Sequence, residues 1–294
     1  MAEPPVRVLY VAGVSHCGST LVGAVLGQVE GVFFAGELAH VARALERDLD
    51  CGCGRPLREC PVWTDVFAAL GEGTPPDLLR LEHAEERARA LLRHLARERG
   101  WLRPSPPVEK ARAAYIEALR AICATTGSRL VVDSSKSPAY GRLLDVSDGV
   151  DLRVLHLVRD PRGTAWSWRK APELTSSPVQ VAAVWSVWNP TIELLWRRRR
   201  GRYLRLRYED FARAPRESLR RVLDFAGEPG AELPFVSERE VELAPTHGVA
   251  GNRRFAGAGR VEIVCDDDWQ KASGFSGRRT VSALTWPLRR RYGY

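Results

Sequence analysis

Apolar residues in this chain fall into two rhythms. Short unbroken runs occur at Val6 to Val11 (VRVLYV), Val32 to Phe34, Leu130 to Val132, Leu152 to Val158 and Tyr203 to Leu206. Such runs, rich in valine and leucine and bounded by glycine or polar turns, predict strands buried on both faces. Between them the apolar positions recur every three or four residues. That spacing predicts helices at Thr20 to Gln28, within Pro75 to Arg99, from the Pro104-Ser-Pro-Pro107 break to near Ala124, at Val179 to Arg200 and at Pro215 to Ala226. Strands alternating with helices predict an α/β fold, a parallel sheet covered on both sides. Beyond Glu228 the chain is rich in glycine, proline and charge, and is expected to wrap back over the sheet. No internal repeat is evident.

The first strand runs straight into Gly13-Val-Ser-His-Cys-Gly18-Ser19-Thr20. A strand, a glycine turn and a helix start point successive backbone N–H groups, and the positive end of the helix dipole, at one spot. The spacing is that of a nucleotide-triphosphate loop, except that Ser19 stands where such a loop has its lysine. The loop is therefore read as an anion site that lacks the cation for a triphosphate.

A second pattern follows the fourth run. The strand ending at Val158 delivers Arg159 to its carboxyl end, where ligands bind in open α/β sheets. Asp160-Pro161 turns the chain, and Ser167 follows on the next helix. A guanidinium and a hydroxyl so placed could grip one phosphate. An ordinary strand-to-helix turn with a surface arginine is the plainer alternative.

Charge changes this picture little. The chain has 294 residues, with 44 basic against 36 acidic side chains and a net charge of +8. Only Lys110, Lys136, Lys170 and Lys271 are lysines, so arginine carries most of the positive charge. Arginine suits phosphate and sulfate, although a GC-rich genome gives the same bias. No helix-turn-helix, zinc-finger or single-strand-binding signature supports a nucleic-acid partner. No apolar run reaches the roughly 18 residues that span a membrane, and a cytoplasmic location is expected. Cys51-Gly-Cys53-Gly54 and Cys60, with a histidine such as His40, could hold zinc, but the spacing is not C-x2-C. A glycine-turned loop, with or without a local disulfide, is the favoured reading, and no metal ligand is assigned.

Taken together, the two motifs resemble the sulfotransferases that use 3′-phosphoadenosine 5′-phosphosulfate (PAPS), and are most similar to the bacterial branch related to carbohydrate and tyrosylprotein enzymes. The resemblance extends in order through Gly36-Glu37, the Cys51 to Trp63 stretch, Asp133-Ser-Ser-Lys136, Tyr208-Glu-Asp210 and His247…Gly251-Asn-Arg-Arg254-Phe. It implies a three-layer P-loop nucleotide-kinase-like fold. Residues 1–294 would form one domain, with a helical insertion at about 39–125 and a donor-covering segment at about 228–294. It implies that Ser15, His16, Cys17, Gly18, Ser19 and Thr20 meet the 5′-phosphosulfate. Arg159 and Ser167 would hold the 3′-phosphate, with Tyr208 beside them and Arg254 closing over it.

Sulfonyl transfer, like phosphoryl transfer, needs donors aimed at charge growing on the leaving oxygens and a base for the acceptor hydroxyl. The resemblance makes Glu37 the base and Lys136 a cation near the sulfonate; a lysine on a solvated turn, or one paired with Asp133, is the alternative. Asp133 and His156 are fallback bases, His156 being expected to point into the sheet. His16 stands where the family usually has Arg or Lys to stabilise the leaving phosphate. PAPS is thus the expected donor and PAP the product, the acceptor being a hydroxyl of a small molecule, lipid or glycan, with no metal required. A nucleotide-dependent kinase and a non-catalytic nucleotide-binding protein are the rival readings. Trp166, Trp168, Trp185 and Trp188 are read as helix packing, and Arg197 to Arg200 as a solvated helix end.

Overall fold

The computed structural model describes residues 4–70, 106–170, 177–250, 259–272, 275 and 277–294. The helix expected within Pro75 to Arg99, and Arg254, lie outside these residues. Five strands, β1 (Val6–Gly13), β2 (Val32–Gly36), β3 (Leu130–Lys136), β4 (Val150–Val158) and β5 (Tyr203–Arg207), form one sheet in the order β2-β3-β1-β4-β5. Every pairing in it is parallel.

The continuous apolar runs are explained by what covers them. On β1, Val8, Tyr10 and Ala12 belong to one buried cluster, and Leu9 and Val11 to another. Period-2 alternation sends these sets to opposite faces, and both faces are sealed. The first cluster is closed by Pro106–Thr126, Pro138–Asp145 and Pro178–Trp196, the second by Ser19–Leu26 and Pro215–Ala226. Two helical layers enclosing a parallel sheet are the architecture that the resemblance implies.

The expected strands and helices are present with ends shifted by a few residues. The helix expected to reach Arg200 stops at Trp196, and Pro215–Ala226 is as read. Among the described residues, helices that were not anticipated include Pro61–Leu70 and Pro138–Asp145. The second had a readable start: Ser137 caps it by accepting from the Ala139 N–H, with Pro138 at its first position.

The chain beyond Glu228 spreads over both flanks of the sheet. An antiparallel pair, β6 (Glu240–Leu243) and β7 (Gly259–Glu262), adds Val241 and Leu243 to the second cluster. Val249 then lies beside β2, its N–H donating to Ala35 O at 2.9 Å and its carbonyl accepting from Glu37 N at 2.7 Å. The helix Gly277–Leu284 packs on Pro161–Arg169 and Pro178–Trp196. At the far end Tyr294 Oη lies 2.9 Å from Val158 O and 2.7 Å from Glu209 Oε2.

Candidate active site

Each strand of the sheet ends on a candidate residue. The loop Ser15 to Thr20 follows β1, Glu37 follows β2, Lys136 closes β3, Arg159 follows β4 and Tyr208 follows β5. The strand order reverses at β1, and in open parallel sheets the crevice beside such a reversal is where ligands bind. One loop and four single residues dispersed in sequence are therefore gathered by the topology.

The loop after β1 is tightly wound. His16 has φ 65° and Gly18 φ 97°, so left-handed residues turn the chain into the helix Ser19–Leu26. A side chain on Gly18 would also overlap the Tyr208 ring. The indole N–H of Trp168 donates to Ser15 O at 2.8 Å, fixing the loop from outside. Ser19 is buried at the helix start. Cys17 departs from a simple lining role. Its side chain is buried in the apolar cluster that includes Val11, Leu21 and Leu157, and burial pushes the thiol pKa up.

His16, Arg159 and Ser167 converge. His16 Nδ1 is 2.9 Å from Ser167 Oγ, and Arg159 Nη1 donates to the His16 carbonyl at 3.1 Å. The Arg159 guanidinium stacks 4.5 Å above the Tyr208 ring and is 6% exposed. A buried guanidinium requires an acceptor, and here Asp266 supplies it, Oδ2 at 2.8 Å from Nη2. The Asp160 N–H donates to Glu209 at 3.0 Å, and Asp160 caps the helix Pro161–Arg169 by accepting from Arg162 N. Trp185 Nε1 donates to Arg159 O at 2.9 Å. The turn carrying Arg159 is thus held on three sides.

Glu37 and Lys136 form the other half. Lys136 Nζ lies 2.5 Å from Glu37 Oε1, and His40 Nε2 is 3.6 Å from Oε2. Burial raises the Glu37 pKa, but Lys136, His40 and His16 outweigh it and hold the carboxyl below its ordinary value. Lys136 is therefore buried and paired with Glu37, neither on a solvated turn nor paired with Asp133. Its backbone is left-handed, φ 67°, as is that of His16. Strained non-glycine backbone of this kind persists where the surroundings over-determine it, often at functional sites.

Both fallback bases are corrected. Asp133 is fully buried, with Tyr115 Oη at 2.5 Å on one oxygen and the Ser135 N–H and Oγ on the other. Ser135 Oγ in turn accepts from Ala39 N at 3.0 Å, so this network sets the turn that carries Glu37. His156, expected to point into the sheet, is fully buried between Tyr203 Oη of β5 at 2.8 Å and Asn189 Oδ1 of the helix Pro178–Trp196 at 2.9 Å. Burial lowers its pKa to about 4.

Sequence reasoning did not reach Trp168, Trp185 and Asp266 as supports of the site, because each meets its partner through the fold. Trp168 and Trp185 do pack between helices as read, with their indole N–H groups aimed at the loops.

A model of a family described as "Sulfotransferase family" matches residues 9–232. Among solved structures, the sulfotransferase domain from the Synechococcus PCC 7002 olefin synthase aligns with a TM-score of 0.51 at 21% identity, covering 100% of this chain and 97% of that one. The sulfotransferase domain from the curacin biosynthetic pathway aligns with a TM-score of 0.50 at 18% identity, covering 97% and 99%. At these identities the likeness is one of fold. No curated protein matches the chain. The matched family region contains the loop after β1, Glu37, Lys136, Arg159, Ser167 and Tyr208, and the chain belongs to the sulfotransferase family.

Proposed function

We propose that this chain moves the sulfonyl group of PAPS to a hydroxyl of a small-molecule, lipid or glycan acceptor by in-line displacement. The observation that carries the reading is the convergence of an amide-rich loop, a buried arginine and a carboxylate–lysine pair at the ends of five parallel strands. The donor is a substrate, and the reading needs no metal ion in the chemistry. The chain is read as one domain, with the insertion at about 39–125 and the segment at about 228–294 bordering the site. A cytoplasmic setting is assumed.

Backbone N–H groups of Ser15 to Thr20, with the hydroxyls of Ser19 and Thr20, meet the 5′-phosphosulfate. Arg159 exchanges the Asp266 carboxylate for the 3′-phosphate, Ser167 adds a hydroxyl, and Tyr208 supports the guanidinium from below. Arg254 is assigned the outer side of that phosphate. Glu37, ionised at neutral pH, accepts the acceptor's proton as the hydroxyl oxygen bonds to sulfur and the bond from sulfur to the bridging oxygen breaks. Charge accumulating on the leaving oxygens meets His16 and the loop amides. Lys136 swings its hydrogen bond from Glu37 to the sulfonate, which also restores the basicity that the ion pair suppresses.

Calorimetric titration with adenosine 3′,5′-bisphosphate, and separately with ATP and magnesium, tests this reading. Tight bisphosphate binding that Arg159→Ala weakens at least tenfold, with weak ATP binding, is the expected result. Preference for ATP, or binding of neither, would overturn it in favour of a kinase or a non-catalytic protein.

A further inference from the structure

The cysteine loop left open by its sequence spacing acquires a fourth partner in the fold. Cys51, Cys53 and Cys60 lie with His247 such that the three sulfurs and a ring nitrogen are all within 4.8 Å of one another. His247 Nδ1 is 3.2 Å from Cys60 Sγ and 4.0 Å from Cys51 Sγ. A tetrahedral zinc with bonds of about 2.3 Å to sulfur and 2.0 Å to nitrogen has ligand–ligand edges of about 3.5–3.8 Å. The two His247 separations bracket the nitrogen–sulfur edge, and the others, all within 4.8 Å, need at most about an ångström of adjustment to close the site. His40, the histidine that sequence proximity suggested, instead faces Glu37.

We infer that Cys51, Cys53, Cys60 and His247 bind one structural Zn²⁺. Three thiolates and an imidazole are a donor set suited to zinc, and four protein ligands leave no open position for catalysis. Binding would release the thiol protons to solvent while the metal bonds form. The ligand carriers are already fixed by the backbone. Cys51 N donates to Arg55 O at 2.8 Å and Gly54 N to Cys51 O at 2.9 Å, while Cys60 precedes the helix Pro61–Leu70. The His247 carbonyl accepts from Trp63 Nε1 at 2.6 Å, and Gly52 N donates to Gly248 O at 3.0 Å. Cys51 and Cys60 are buried, where an unshared thiolate would be costly and a metal-bound one is not.

The consequence is mechanical. Cys60 and His247 are 187 positions apart, and zinc would tie the cysteine loop to the strap at 247–249. That strap bonds through Val249 to Ala35 and to the N–H of Glu37 itself. The metal would thus clamp the strap beside the carboxylate without touching substrate. This inference does not depend on the donor or acceptor.

The test is metal analysis of the full chain, purified under reducing conditions without chelator, before and after anaerobic addition of zinc, alongside cobalt substitution. About one zinc per chain is expected, with a cobalt spectrum combining tetrahedral d–d bands and thiolate charge-transfer bands. His247→Gln and Cys53→Ser, at the two partly exposed ligands, should weaken zinc retention at least tenfold while far-UV circular dichroism is kept. A folded protein that holds less than about a tenth of an equivalent after zinc addition would overturn the assignment. So would an intramolecular disulfide among these cysteines in the folded, zinc-free protein.

Discussion

Ser167 Oγ and His16 Nδ1 lie 2.9 Å apart across 151 positions of sequence. The helix after β4 and the loop after β1 therefore share a hydrogen bond. In the proposed reading, this link sets His16 between the two ends of the donor. His16→Ala is expected to lower kcat about ten- to a hundredfold, within the range for loss of one oxyanion donor, with a smaller change in bisphosphate affinity. Steady-state kinetics beside calorimetry measures the split. Equal turnover in mutant and wild type would remove His16 from the mechanism.

Asp266 occupies the guanidinium of Arg159 that the 3′-phosphate is proposed to use. Arg159→Ala should weaken bisphosphate binding about ten- to a hundredfold, the scale of a hydrogen bond to a charged group. Asp266→Asn, by removing a competing anion, should tighten it severalfold. Calorimetry on both variants decides the matter: weaker binding in Asp266→Asn would make Asp266 a support that aims Arg159.

Glu37 is held ionised by Lys136 and His40 against the effect of burial. Its carboxyl titrates below the ordinary glutamate value of about 4.3, so the acid limb of kcat/KM assigned to it should lie below that pH. The ion pair's contribution to stability is present at neutral pH and is lost as pH falls through the lowered pKa. Glu37→Gln should reduce kcat about 10²- to 10⁴-fold, the usual worth of a positioned base. A full-length pH profile of the Gln variant that still carries the wild-type acid limb would exclude Glu37 as its source.

His156 is buried neutral, with its pKa lowered from 6.5 to about 4 by desolvation. The unfolded chain takes up a proton near 6.5 that the folded chain refuses until about 4, so stability falls as pH drops across that window. The loss approaches about 3 kcal/mol, from roughly 1.4 kcal/mol per pKa unit. Denaturant unfolding between pH 4 and 7 should show this slope reduced by about one proton in His156→Gln. An unchanged slope would place the acid sensitivity elsewhere.

The sequence by itself determined the parts that depend on neighbours along the chain. Apolar runs marked all five sheet strands, because a parallel strand buried on both faces admits few polar residues. Gly13 to Thr20 was legible as a strand, a turn and a helix start, since these are local. Arg159 and Ser167 were legible as a pair, being eight positions apart around one turn. Tertiary structure alone decided which distant groups meet them. Lys136 was brought to Glu37, Asp266 to Arg159 and His247 to the cysteine loop by strand order and by the path of the last third of the chain. Those contacts span 99, 107 and, for Cys60, 187 positions, the first being 136 − 37 from the residue numbers. Short-range propensity carries no information over such separations, because they are set by which apolar faces close on one another.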